Sequence, residues 1–181
     1  MLRLHAVLSM IDAANAADPG AEAGPYGERM SVELARLFPA ASELLQIAAR
    51  GQHVERWLLA RAAFPEGRIG YLDWRREQGR RHALRIGAMM RDAGYGEAEI
   101  AATGRMLRKE GIKHDPQVQA LEDTICFVFL RWYFQPFAAG REAGTLLKIV
   151  AQTARKMSPE GRARALAEFA LPEPFADLFR L

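Results

Sequence analysis

The chain is short of the features that most simply announce a function. It has one cysteine, Cys126 in the run "ICFVFL", so no disulfide can form within it, and a buried inert thiol in a reducing compartment is expected. It has no apolar run near the roughly 18 residues of a membrane span. The opening "MLRLHAVLSMIDAANAADP" carries an acidic residue and no cleavage pattern, so a cytoplasmic protein without membrane contact is expected. No HExxH or CxxC motif, internal repeat or alternating strand pattern occurs. Lysine is scarce: of 25 basic residues only Lys109, Lys113, Lys148 and Lys156 are not arginine. Arginine offers a planar fork suited to carboxylate or phosphate, although genomic codon bias gives the same ratio. A net charge of +3 is mild, and no aromatic-basic interleaving of the single-strand-binding type is present, so nucleic acid is not an expected partner.

What is present is helical periodicity. Half of the 181 residues are hydrophobic, enough for one compact domain over residues 1–181. Leu4, Val7, Leu8, Ile11 and Ala14 recur at helical steps and stop before Asp18-Pro19-Gly20. Met30, Leu34 and Leu37 form a second pattern after the loop "DPGAEAGPYG", interrupted by Pro39. A third helix is expected from the cap Ser42 past His53 to Leu58, followed by a loop over 63–70 and a long Arg-rich helix from Tyr71 to Asp92. Helices are further expected over Glu97–Lys109, through "VQALEDTICFVFLRWYF" up to Pro136, over Thr145–Met157, and from Ser158-Pro159 to about Ala170. The expected fold class is all-α.

Four polar residues lie in or beside these apolar helices: His53, His82, Glu110 and Asp123. Imidazole nitrogens and carboxylate oxygens together suit a hard or borderline divalent metal, and bundles draw such ligands from separate helices. The structural alternative is a pair of satisfied core histidines. Arg75, Gln78, His82 and Arg85 share one helix face, which could hold an anion or could be a solvated stripe paired with Asp73 and Glu77. Arg108 and Lys109 flank Glu110 near a helix end, where cations are favoured in any protein. Asp123 precedes the apolar run of Cys126, and a carboxylate buried there needs an arginine, a histidine or a metal, unless it or Glu122 points to solvent.

The blocks "IDAANAADP", "YGERM", "AARGQHVERW", "GYLDWRREQGRRHA", "LRKEGIKHDPQVQALEDTICFVFL" and "RKMSPEGRARAL" together resemble the family known as domain of unknown function 4202, over nearly the whole chain. Their order also resembles a diverged HD-superfamily domain, an all-helical bundle of metal-dependent phosphohydrolases. In that likeness Tyr26 stands at the first histidine, Gln52 and His53 at the His-Asp doublet, His82 at the next histidine, Glu110 at a later one and Asp123 at the last aspartate. With Tyr26 and His53 replacing two ligands, a dinuclear centre is not expected. The resemblance implies a single divalent metal (Mn, Fe, Mg or Zn) on His53, His82, Glu110 and Asp123, with a bound water as nucleophile. Gln52, Glu55, Arg56, Arg75, Arg81, Arg108, Lys109, Glu122 and Tyr26 are the candidate ligand-binding residues around it.

Two functions from different classes follow. One is a hydrolase of a phosphoester in a nucleotide or other small phosphorylated compound. The other is a binding module on the same scaffold that recognises an anionic small molecule or an acidic partner without catalysis. The sequence fixes neither the substrate nor the oligomeric state.

Overall fold

The computed structural model describes residues 2–180, and among them there are helices and no strand, an all-α protein. The chain forms two compact units, Met1–Glu110 and Gly111–Leu181. Each is described by itself.

The first unit contains α1 (Leu2–Asn15), α2 (Ala23–Leu37), α3 (Glu43–Arg50), α4 (Gly67–Asp92) and α5 (Glu97–Arg108). Helix α1 packs on α2, α3 and α4, while α5 packs on α3 and along α4. The turn Ala93–Gly96 between α4 and α5 is short enough to make them antiparallel neighbours. Val7, Ile11, Met30, Leu34, Ile47, Ile86, Met90 and Met106 are each buried to 2 % exposure or less. They supply the apolar stripe that holds amphipathic helices together. Asp18 ends the first loop by accepting the N–H groups of Gly20, Glu22 and Ala23, so α2 starts inside "DPGAEAGPYG", a turn earlier than the periodicity indicated. Pro25 falls in its first turn, where a missing N–H leaves no bond unmade.

Two boundaries differ from expectation for reasons that lie far away in sequence. Helix α3 does not continue past His53 to Leu58 but stops at Arg50. A Cβ on Gly51 would lie 2.6 Å from Cδ1 of Ile86, so the chain passes close against α4 at a residue without a side chain and turns away from helical geometry. Residues 51–55 form a turn, Glu55 takes the left-handed conformation with φ 53°, and a single 3-10 turn covers Arg56–Leu58. Helix α4 begins at Gly67 rather than Tyr71, taking in the second half of the expected loop.

The second unit contains α6 (Pro116–Val128), a π-helical turn (Phe129–Tyr133), α7 (Phe134–Ala138), α8 (Ala143–Lys156), α9 (Pro159–Glu168) and α10 (Phe175–Phe179). Helix α8 packs against α6 and α10, and α10 also meets α9. Pro136 does not end the apolar helix. The π turn resets the hydrogen bonding, Phe134 donating to the carbonyl of Phe129, so that Pro136 falls in the first turn of α7. Ser158 caps α9 by accepting from Gly161, with Pro159 at the first helical position as its sequence indicates. Cys126 is buried, as expected of a lone structural thiol. Among the described residues no helix is long and apolar enough to cross a membrane.

Candidate functional site

The first unit gathers a polar cluster where the turn after α3 lies against α4. Gln78 of α4 donates from Nε2 to the carbonyls of Arg56 at 2.9 Å and Leu59 at 3.2 Å. One turn back, Trp74 donates from Nε1 to the same Leu59 carbonyl at 3.0 Å. These bonds satisfy carbonyls of a non-helical segment and fix its position. They also seat the Arg56 guanidinium over the Trp74 ring, 4.5 Å from the centroid. Gly79, next to Gln78, allows the end of α5 to approach: a Cβ there would lie 3.2 Å from the Leu107 carbonyl oxygen. Helix α5 is then capped by Lys109 in the left-handed conformation, φ 60°.

Two histidines stand among these cations. His53 stacks on Tyr26 of α2, with ring centroids 3.7 Å apart and planes 13° from parallel. Burial, followed by Arg56, His82, Lys109 and Arg75, holds its imidazole well below the usual histidine range. His82, one turn beyond Gln78, is only 2 % exposed. Burial, with Arg56 and Lys109 adding to it, pushes it down to about 3. Both rings are therefore neutral at pH 7. The Nε2 of His82 is buried and has no hydrogen-bond partner. Gln52, beside His53, likewise buries Oε1 without a donor.

Arg56 is the unusual cation of the group. Burial first, and then Arg75, lowers its basicity, and among the described residues no carboxylate forms an ion pair with it. A partly buried guanidinium beside other cations costs free energy unless an anion compensates it.

The remaining sequence candidates lie elsewhere or are already engaged. Arg81 and Arg80 both bind Glu77, whose carboxyl they hold down to about 2. Glu55 accepts from Arg85 at 2.8 Å. Glu110 is half-exposed and receives both Nε and a terminal nitrogen of Arg108, which holds its carboxyl below the usual range. The second unit carries Asp123 and Glu122, both buried. Asp123 accepts at Oδ1 from the Ser158 N–H at 2.8 Å and from Gln119 at 3.0 Å, and at Oδ2 from the Ser158 hydroxyl at 2.6 Å. Burial raises its carboxyl despite those bonds, and Glu122 has Lys156 at 3.6 Å.

This arrangement does not fit the metal that the HD likeness implies. Among the described residues no three His, Cys, Asp or Glu side chains form a group that could hold a metal ion. Glu110 already serves Arg108, Asp123 already serves Ser158 and Gln119, and the charges acting on the two histidines are positive. What the first unit does assemble is Tyr26, His53, Arg56, Arg75, His82 and Lys109, six of the residues named from the sequence, with Gln52 next to His53 in the chain. Trp74, which carries the guanidinium, was not among them. Its spacing of four from Gln78 and eight from His82 placed it on the same helix face and was the available signal.

Such a cluster sets arginine, lysine and neutral imidazole side chains together on an all-α scaffold. Residues 5–179 match the family described as Domain of unknown function (DUF4202), and the chain belongs to that family. No curated protein and no solved structure matches it.

Proposed function

We propose that the first unit binds a small oxyanion, most simply the phosphoryl group of a phosphorylated metabolite, at the cluster of Arg56, Arg75, Lys109, His53 and His82. The observation that carries this reading is Arg56: a guanidinium held over Trp74, with burial and a second arginine acting on it and, among the described residues, no carboxylate paired to it. Supplying an anion removes an uncompensated charge, so binding gains the charge-assisted bonds and relieves the repulsion at once. Neutral histidines beside the cations leave the positive field intact. Tyr26, stacked on His53, closes the cluster from the side of α2.

Calorimetric titration of the full chain with orthophosphate at low ionic strength tests the reading. Arg56→Ala should weaken binding at least about tenfold, the worth of one lost charge-assisted hydrogen bond. Absence of any saturable heat with orthophosphate, for a chain whose circular dichroism is helical, would overturn it. The metal-dependent hydrolase reading makes a competing demand, a stoichiometric divalent ion lost in His53→Ala and Asp123→Ala. Elemental mass spectrometry of protein prepared without chelator distinguishes the two.

A further inference from the structure

Resting on the oxyanion reading, a narrower ligand class follows from Nε2 of His82, the one fully buried histidine nitrogen without a hydrogen-bond partner among the described residues. We propose that His82 makes the site selective for oxyanions that carry a proton, such as hydrogenphosphate or a singly protonated phosphate monoester, over sulfate and other oxyanions that carry none.

Cations alone do not make this distinction. Sulfate and hydrogenphosphate are tetrahedral, of similar size and both divalent, so Arg56, Arg75 and Lys109 attract them about equally. They differ in one group: hydrogenphosphate has an O–H to donate, and sulfate has only acceptors. Discrimination therefore needs an uncharged acceptor on the protein, and His82 supplies one in the tautomer that keeps its proton on Nδ1. Its Nε2 is enclosed and unpartnered among the described residues, and burial, with Arg56 and Lys109 adding to it, keeps the imidazole uncharged. A neutral imidazole with its proton on Nδ1 presents a lone pair at Nε2. Hydrogenphosphate can donate into that lone pair, whereas sulfate would turn an oxygen lone pair toward it. A buried acceptor facing an acceptor is a rejection element, since the wrong anion leaves both groups unsatisfied.

The alternative account of the orphaned nitrogen is a purely structural one, a histidine that fills space on α4. Position argues against it. His82 continues the face of Trp74 and Gln78, the two residues that fix the Arg56 turn, and it interacts with the same cations as His53. Gln52 adds a second enclosed acceptor oxygen beside His53. A buried acceptor lacking a donor, under the influence of a cation lacking a paired carboxylate, is the complement of a group that is negative and also donates.

The test is parallel calorimetric titration of the full chain with orthophosphate and with sulfate at pH 7, in a buffer free of both, with arsenate as a second proton-bearing probe. Orthophosphate and arsenate should bind about tenfold or more tightly than sulfate. In His82→Leu the preference should collapse, the ratio of phosphate to sulfate affinity falling to about one as phosphate loses its acceptor and sulfate no longer meets an opposing lone pair. His82→Gln, whose amide oxygen is again an acceptor, should recover part of the preference. Equal binding of phosphate and sulfate by the wild type would overturn the selectivity and leave the oxyanion site standing. Binding of neither anion would overturn both. The wild-type ratio decides the matter even if His82→Leu fails to fold, and a folded His82→Leu that keeps the preference would assign the discrimination to another residue.

Discussion

Asp123 in the second unit and His82 in the first are both buried to within a few per cent, both lie within a helix, and both are polar groups in apolar surroundings. Their surroundings treat them in opposite ways. Asp123 receives three hydrogen bonds, two of them from Ser158, and so joins α6 to the cap of α9. His82 keeps Nε2 unpartnered and stands among cations. Burial alone therefore does not mark a functional residue. The satisfied carboxylate explains itself as a structural strut, while the unsatisfied imidazole and the unmatched Arg56 are the groups on which the proposed anion site rests.

The largest effect that sharpens this contrast is on stability at Asp123. Replacing it by Ala strands the Ser158 N–H and hydroxyl inside the protein and leaves the Gln119 amide with its bond to the Lys156 carbonyl alone. Asp123→Ala should cost about 3 kcal/mol in urea denaturation, several uncompensated donors at roughly 1 kcal/mol or more each. At His82 the same logic predicts the reverse. His82→Leu removes a polar nitrogen that nothing satisfied, so it should leave stability at pH 7 within about 1 kcal/mol of wild type. A His82→Leu protein as unstable as Asp123→Ala would erase the distinction.

Acid sharpens it next. The His82 imidazole lies at about 3 in the folded protein against about 6.5 unfolded. Between those values the unfolded chain binds a proton that the folded chain refuses, so this contribution to stability is intact above pH 6.5 and is lost as pH falls toward 3. Its limiting slope is about 1.4 kcal/mol per pH unit. His53 shifts in the same direction. Stability measured from pH 7 to pH 4 should therefore fall, and His82→Leu should flatten that fall. A profile unchanged by the substitution would show that His82 is not held neutral by its surroundings.

How far these assignments were legible in the sequence depends on the distance of the cause. Helix α5 and the Ser158-Pro159 start of α9 are set by residues within a turn, and periodicity and cap chemistry found both. The end of α3 was not readable, because Gly51 stops the helix against Ile86, a contact that only the packed fold creates. The same holds for the arginines. Arg56, Arg75, Arg81 and Arg108 look alike as candidates for phosphate, and three-dimensional pairing sorts them: Glu77 takes Arg81, Glu110 takes Arg108, and Arg56 finds only an aromatic face. The sequence could propose that an arginine-rich face meets His53, and it could not show which guanidinium would be left without a carboxylate.

The smallest expected effects separate the seat of Arg56 from the charge itself. Trp74 contributes its ring beneath the guanidinium and an N–H to the Leu59 carbonyl, while Gln78 holds the Arg56 and Leu59 carbonyls. Trp74→Leu keeps bulk but removes the ring quadrupole, worth about 0.5–1 kcal/mol at a partly exposed site, so orthophosphate affinity should fall by about two- to fivefold. Arg81→Ala, on the face that pairs with Glu77, should change affinity by less than twofold, since a solvated ion pair contributes little and the rest of the cluster does not depend on it. Finding the two reversed, with Arg81→Ala the more damaging, would move the anion to the outer face of α4. The difference between them follows from where each guanidinium finds its compensation: Arg81 has it in Glu77, whereas Arg56, without a paired carboxylate among the described residues, rests on the Trp74 ring and is the one the proposed anion would compensate.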